Sequence, residues 1–234
     1  KVTSYFGMRK IAIGKDDKGV TRSLLNGKFV FQVGFLDQGY WPESNLTPPT
    51  DEAIQFDVRA TKEMGFNGAR KHQKLEDPRW LYWCDRLGLL VSSEMANAQA
   101  FDDVYVARFT REWIECVERD YNHPSIFAWV LFNETWGLFS KDSVTERRSY
   151  TPETQDWVRE RYNIAKATDP SRMIEDNSPC NWDHVVTDIN TWHAYLPARH
   201  WAGFLDTIVK NTYPGSTHNY IGGNKQGNEP MLNS

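Results

Sequence analysis

Apolar and polar positions along the chain follow two alternating rhythms. Short apolar runs of strand length are each followed by longer segments in which apolar residues recur every three or four positions. The strand-like runs are Phe29 to Leu36, "GFNGARKH" (65–72), "LLVSSEM" (89–95), "SIFAWVLFN" (125–133), "RMIEDNS" (172–178) and one within "VVTDINTWHAY" (185–195). "PMLNS" (230–234) begins a seventh. Between them the pattern predicts helices from about Asp51 to Met64, Pro78 to Leu87, through Phe109, Trp113, Val117 and Tyr121 on one face, from about Pro152 to Thr168, and from Trp201 to Val209. Punctuation supports these bounds. Thr50 and Thr151 are placed to cap helices, Pro152 suits a first turn, Gly88 stops the second helix, and Pro124 ends the third by excluding its predecessor from helical space.

Residues 1–28 stand apart. Val2 to Ile13 is strand-like, and "DDKG" and "NG" mark turns, so two hairpin-like β pieces lead into the alternating region. Residues 29–234 then form the main domain. Successive strand–helix units favour a parallel sheet with helices outside, either an open doubly wound sheet or a closed eight-fold barrel. No Gly-rich phosphate loop follows the first strand, which disfavours the first of these. Polar residues also recur at the C-terminal strand ends, where barrels place their active sites: Asp37-Gln38, Arg70/His72, Glu94, Asn133-Glu134, Asp176-Asn177 and His193/Tyr195.

Composition narrows the chemistry. The formal charge of −4, with no basic block, gives no pull toward nucleic acid or an anionic membrane surface. No apolar run approaches the ~20 residues of a membrane helix, and the first ten residues do not resemble a signal peptide. Cytoplasmic, periplasmic and secreted locations all stay open. Cys84, Cys116 and Cys180 read as small core residues. His72, Glu94 and His193 could converge on a metal, yet no local ligand spacing supports it, so neither metal nor cofactor is expected.

Glu134 is the leading candidate for catalysis. Above an apolar wall its carboxyl is expected to be partly desolvated, raised in pKa, and available as a general acid. Asn133 beside it can donate to a substrate hydroxyl. Tyr40, Trp41, Trp136, Trp192 and Tyr195 lie in loops or strand ends, where flat rings stack on a pyranose or close the barrel top. Arg70 can fix a carboxylate by paired hydrogen bonds, and His72 can bond a hydroxyl or close the barrel top.

These motifs resemble glycoside hydrolase family 2, which includes β-galactosidases, β-glucuronidases and β-mannosidases. "SYFGMRKI" (4–11) resembles the end of the immunoglobulin-like domain that precedes the barrel. "LLNGKFVFQVGFLDQGYWP" (24–42) resembles the linker and first strand, "MGFNGARKH" (64–72) and "DPRWLYWCDRLGLLVSSEM" (77–95) the second and third units, and "RDYNHPSIFAWVLFNE" (119–134) the fourth strand. The resemblance implies a (β/α)8 TIM barrel and a retaining exo-β-glycosidase acting on carbohydrate, β-galactosidase-like, with a β-glucuronidase, a β-mannosidase or a non-catalytic carbohydrate-binding barrel as alternatives. It implies Glu134 as acid/base, Asn133 as the neighbour that holds the sugar 2-hydroxyl, and Arg70, His72 and Tyr195, with His193 close by, around the substrate; Asp37, Glu94 and Trp136 join the expected substrate-binding set from their own positions at strand ends and in loops. It further implies that the nucleophile Glu directly follows Ser234 and that the eighth strand lies beyond it. Glu94, Asp176 and Asp188 are the alternative partners within the chain. Homo-oligomerisation of the full-length protein stays open.

Overall fold

The computed structural model describes residues 2–179 and 182–227, together with the backbone of 232–233. Three antiparallel strands come first: β1 (Ile11–Lys15), β2 (Thr21–Leu25) and β3 (Lys28–Phe29). Residues 2–10 are not strand, so the expected first β piece is shorter than its pattern suggested. Phe29 pairs with Leu24 across the hairpin, and the first parallel strand starts five residues later than its apolar run, as β4 (Gly34–Asp37).

The alternation then unfolds as expected: α1 (Asp51–Glu63), β5 (Gly68–Lys71), α2 (Pro78–Leu87), β6 (Leu90–Glu94), α3 (Asp103–Asp120) and β7 (Ile126–Asn133). A short hairpin, β8 (Ser140–Lys141) with β9 (Arg148–Ser149), precedes α4 (Pro152–Thr168), β10 (Met173–Ser178), β11 (Ile189–Asn190), α5 (Trp201–Asn211) and β12 (Leu232–Asn233). The capping residues act as their chemistry dictates. Thr50 and Thr151 accept from Ala53 N–H and Thr154 N–H, and Gly88 adopts the left-handed conformation at φ 72° with its N–H on Cys84 O.

The parallel strands run β4-β5-β6-β7-β10 in one sheet, and β12 lies parallel to β11. Strand order follows chain order without reversal, which is barrel topology; a doubly wound sheet reverses at its switch point. Only Phe127 in β7 is not fully buried, because helices cover one face and the barrel interior the other. Phe109 of α3 stacks on Phe132 at 4.6 Å, Trp113 meets Trp129 edge-on at 5.6 Å, and Trp157 of α4 sits 5.4 Å from Phe132. Of the expected α3 stripe, Phe109, Trp113 and Val117 are buried, while Tyr121 falls on the helix end and is partly exposed. Cys84 and Cys116 are free and buried, and burial pushes the Cys116 thiol up to about 12; Cys180 lies outside the described residues.

The floor of the barrel is sealed by the N-terminal β pieces. Ile11 and Ile13 pack on Ala128, Met173 and Ile189. Buried Arg172 pairs with Asp169 at 2.5 Å and donates to the carbonyls of Tyr121, His123 and Ile126. Arg9 donates to Pro124 O and Ile126 O beside it. Nearby, burial works to raise the Asp85 carboxyl, but hydrogen bonds from His123, Ser125 and Tyr5 outweigh it and hold it below the usual carboxylate range. A depressed folded-state pKa contributes stability above the unfolded value and loses it as pH falls through the folded one. Asp85→Asn is therefore expected to lower the thermal midpoint at pH 7, and the gap from the parent to narrow as the pH falls below the unfolded value of about 3.9. A gap that stays unchanged as the pH falls through this acid range would exclude ionised Asp85 as its source.

Candidate active site

The C-terminal ends of β5, β6 and β7 bring Arg70, Glu94 and Asn133 to one point, and the segment after β11 adds His193. Arg70 is the hub. Its Nε donates to Glu94 Oε2 at 2.8 Å, one terminal nitrogen to His193 Nε2 at 3.0 Å, and the other to Asn133 Oδ1 at 2.8 Å. A guanidinium only donates, so these contacts fix the orientation of all three partners. His193 Nε2 accepts, so Nδ1 carries the ring proton and donates to Glu134 Oε1 at 2.7 Å. Ser178 Oγ lies 2.8 Å from the same Nε2. Asn133 accepts through its oxygen, which turns its amide donors away from Arg70. His72 Nδ1 donates to Glu94 Oε2 at 3.0 Å. Glu94 is fully buried, and its Oε1 has no partner among the described residues.

Trp136 Nε1–H donates to Glu134 Oε2 at 3.1 Å, while half of the Trp136 ring stays exposed. These contacts correct one expectation. Burial works to raise the Glu134 carboxyl, but the hydrogen bonds from His193 and Trp136, with the charge of Arg70, hold it below its ordinary value. The apolar wall lies beneath Glu134, yet its two oxygens face donors, and donors stabilise the ionised form.

Of the strand-end residues expected at the site, Arg70, His72, Glu94, Asn133, Glu134, Trp136 and His193 come together. Asp37 does not. Its carboxylate accepts from buried Lys71 Nζ at 2.6 Å, and Lys71 also pairs with Glu76 at 2.8 Å and lies over the Trp80 ring of α2 at 4.0 Å. Arg70 and Lys71 are neighbours on β5, so their side chains leave opposite faces, and Asp37 follows Lys71 into the helix layer. Tyr195 is 92% exposed and outside the cluster, on a segment that carries no strand ladder. Asp176 is occupied by His184 Nδ1–H and the N–H groups of Val185 and Val186; Asp188 is held by Tyr162 and Lys166 on α4.

Three contributors escaped the sequence reading, Ser178, Asn97 and Asp183, while Asn177 appeared there only as a strand-end polar residue. Asn97 accepts from Asn133 N–H and donates to Trp136 O. Burial pushes the Asp183 carboxyl up. Ser178 and Asn177 did carry a signal, since both end the "RMIEDNS" run. Asn97 and Asp183 lie in loops whose path no local pattern announces. Between β4 and β11 a recess of about 330 Å³ opens, lined by Arg70, Glu175, Ser178, Trp192 and His193. Among the described residues no group of His, Cys, Asp or Glu is arranged to hold a metal ion, and no helix is long and apolar enough to cross a membrane.

Polar side chains converging on the C-terminal ends of parallel barrel strands define a site of the TIM-barrel enzyme class. The model of the glycosyl hydrolases family 2 TIM barrel domain matches residues 49–221, and the chain belongs to that family. It is 33% identical over 144 residues to the β-galactosidase of Lactococcus lactis, which covers 58% of this chain and 14% of that protein. The chain thus spans about one-seventh of that relative's length. Among solved structures, the β-glucuronidase of Parabacteroides merdae superposes with a TM-score of 0.74 at 20% identity, over 88% of this chain and 25% of that one. The β-galacturonidase of Eisenbergiella tayi superposes at 0.71 and 20% identity, over 97% and 38%. These likenesses establish the shared fold.

Proposed function

We propose that this chain carries the acid/base half of a retaining exo-β-glycosidase that removes a terminal sugar, β-galactosidase-like, from an oligo- or polysaccharide. The observation that carries the reading is Glu134 at the barrel mouth, its carboxylate aimed by His193 and Trp136, with Asn133 locked beside it by Arg70. Glu134 protonates the leaving oxygen and then activates water. Asn133 donates to the 2-hydroxyl. Arg70 and His193 hold these two in register, buried Glu94 holds Arg70 and His72 in place, and His72 offers a polar contact to the sugar. Trp136 gives an apolar face for the ring, and Tyr195 an outer one. Asp37 contributes at one remove, by anchoring the first strand.

A retaining mechanism needs a second carboxylate about 5–5.5 Å from the first. Asp176, Asp188 and the paired oxygen of Glu94 are committed to other partners, which weighs against each of them as that nucleophile. A second carboxylate close to Glu134 would raise its pKa toward the protonated state an acid needs. Residues 1–28 fit the end of an immunoglobulin-like domain and its linker, and residues 29–234 the catalytic barrel.

Relatives named for galactosides, glucuronides and galacturonides make the sugar the open variable, and it is tested with the whole protein on a panel of nitrophenyl glycosides. Cleavage of the β-galactoside with retention of configuration is expected, several-fold or more above the β-glucuronide and β-mannoside. Preference for the glucuronide would reassign the substrate. Binding of sugars without cleavage of any would overturn the enzyme reading in favour of a carbohydrate-binding barrel.

A further inference from the structure

The turn that carries Glu134 is unusual in its backbone. Glu134 and Thr135 are consecutive left-handed residues, at φ 52° and 60°, and Gly137 follows at 76°. For a β-branched residue such as Thr135 this conformation is a genuine outlier that persists only where the surroundings over-determine it.

The surroundings do so from both sides. On the β6 side, Asn97 bonds Asn133 N–H and Trp136 O, and a Cβ on Gly137 would lie 2.5 Å from Ala98 O. On the β10 side, Glu134 N–H donates to Ser178 O at 2.9 Å, and Thr135 N–H donates to Asn177 Oδ1 at 3.1 Å. The Thr135 hydroxyl donates to Asp183, and accepts from Asn177 Nδ2 at 3.0 Å. Asn177 Nδ2 also reaches Asp183 Oδ1 at 3.3 Å. Thr135, Asn177 and Asp183 are all buried, at 1%, 0% and 3% exposure. None of the three faces the recess beside Arg70, so none is placed to touch a substrate there.

We propose that Asp183, acting through Thr135 and Asn177, is a positioning residue for Glu134: the buried triad holds the left-handed turn that aims the acid/base carboxylate. The inference rests on Glu134 being that acid/base. The logic is mechanical. If Asp183 releases the Thr135 hydroxyl, the turn loses the partners that offset its steric cost and relaxes toward right-handed backbone. The side chain one residue earlier is then displaced, and a displacement of about 1 Å in a catalytic group costs about 10²-fold in rate.

The test uses the whole enzyme and two aryl glycosides of the preferred sugar, one with a poor phenol leaving group and one with an activated dinitrophenol. T135V removes the hydroxyl and keeps the side-chain shape; D183N removes the charge and keeps the carboxylate shape. Each is expected to lower kcat/KM on the phenyl glycoside by about 10²-fold and on the dinitrophenyl glycoside only a few-fold, with KM for the former changed less than about threefold. T135S, which retains the hydroxyl, should recover most of the loss. Should T135V fail to give a cooperative thermal melt, D183N carries the same expectation. Equal losses on the two substrates, or a T135S variant as impaired as T135V, would overturn the positioning role. E134Q in parallel separates the two claims. If E134Q shows no dependence on leaving group, the acid assignment itself fails. If E134Q shows it and T135V and D183N do not, only the positioning claim fails.

Discussion

Replacement of Glu134 by Gln in the whole enzyme is expected to reduce kcat/KM on substrates with poor leaving groups by about 10²–10⁴-fold, the range that general acid catalysis contributes. An activated dinitrophenyl glycoside departs without a proton, so its kcat/KM should be close to that of the parent. On the proposed mechanism its kcat should fall along with KM, because Glu134 would also activate water in the second step and the glycosyl-enzyme would accumulate. The Gln isostere keeps the acceptor that His193 Nδ1 meets at 2.7 Å. Steady-state rates across a series of aryl leaving groups check the expectation; a loss of equal size at every leaving group would exclude Glu134 as the acid.

The second large effect is on stability. Arg70→Met removes the cation that faces Glu94 at 2.8 Å, and Glu94 is completely buried. Stranding one member of such a pair costs about 3–5 kcal/mol, which in a domain of this size lowers the thermal midpoint by roughly 6–20 °C. His72 remains in contact with Glu94 and offsets only part of the loss. Thermal melts of parent and variant read this directly. An unchanged midpoint would show that the pair with Glu94 contributes nothing measurable to the fold.

Much of the architecture was legible because it is written in local chemistry. Caps at Thr50, Thr151 and Gly88, the apolar run of β7 and the polar strand ends each follow from a few adjacent residues. What escaped depends on partners distant in sequence. Phe29 lies in the first apolar run, yet it is claimed by the hairpin through Leu24. Asp37 and Arg70 look alike as strand-end polar residues, and only the alternation of β5 sends one pair to the helix layer and the other to the site. The ionisation of Glu134 was misjudged for the same reason. Its own strand predicts an apolar setting, whereas the donors that decide the matter, His193 and Trp136, arrive from a segment 59 residues away and from the turn itself.

The contact between Arg70 and His193 spans 123 positions in sequence. It joins β5 to the segment that follows β11, across the parallel strands β6, β7 and β10. In a flat sheet four strand spacings would separate the two by about 19 Å, far beyond the reach of a guanidinium. The hydrogen bond therefore acts as a gauge of curvature, satisfied only once the sheet has rolled far enough to bring its later strands over its earlier ones. The contact of His193 with Glu134 depends on that same roll, so the orientation of the Glu134 carboxylate belongs to the rolled sheet as a whole and not to the strand that carries it.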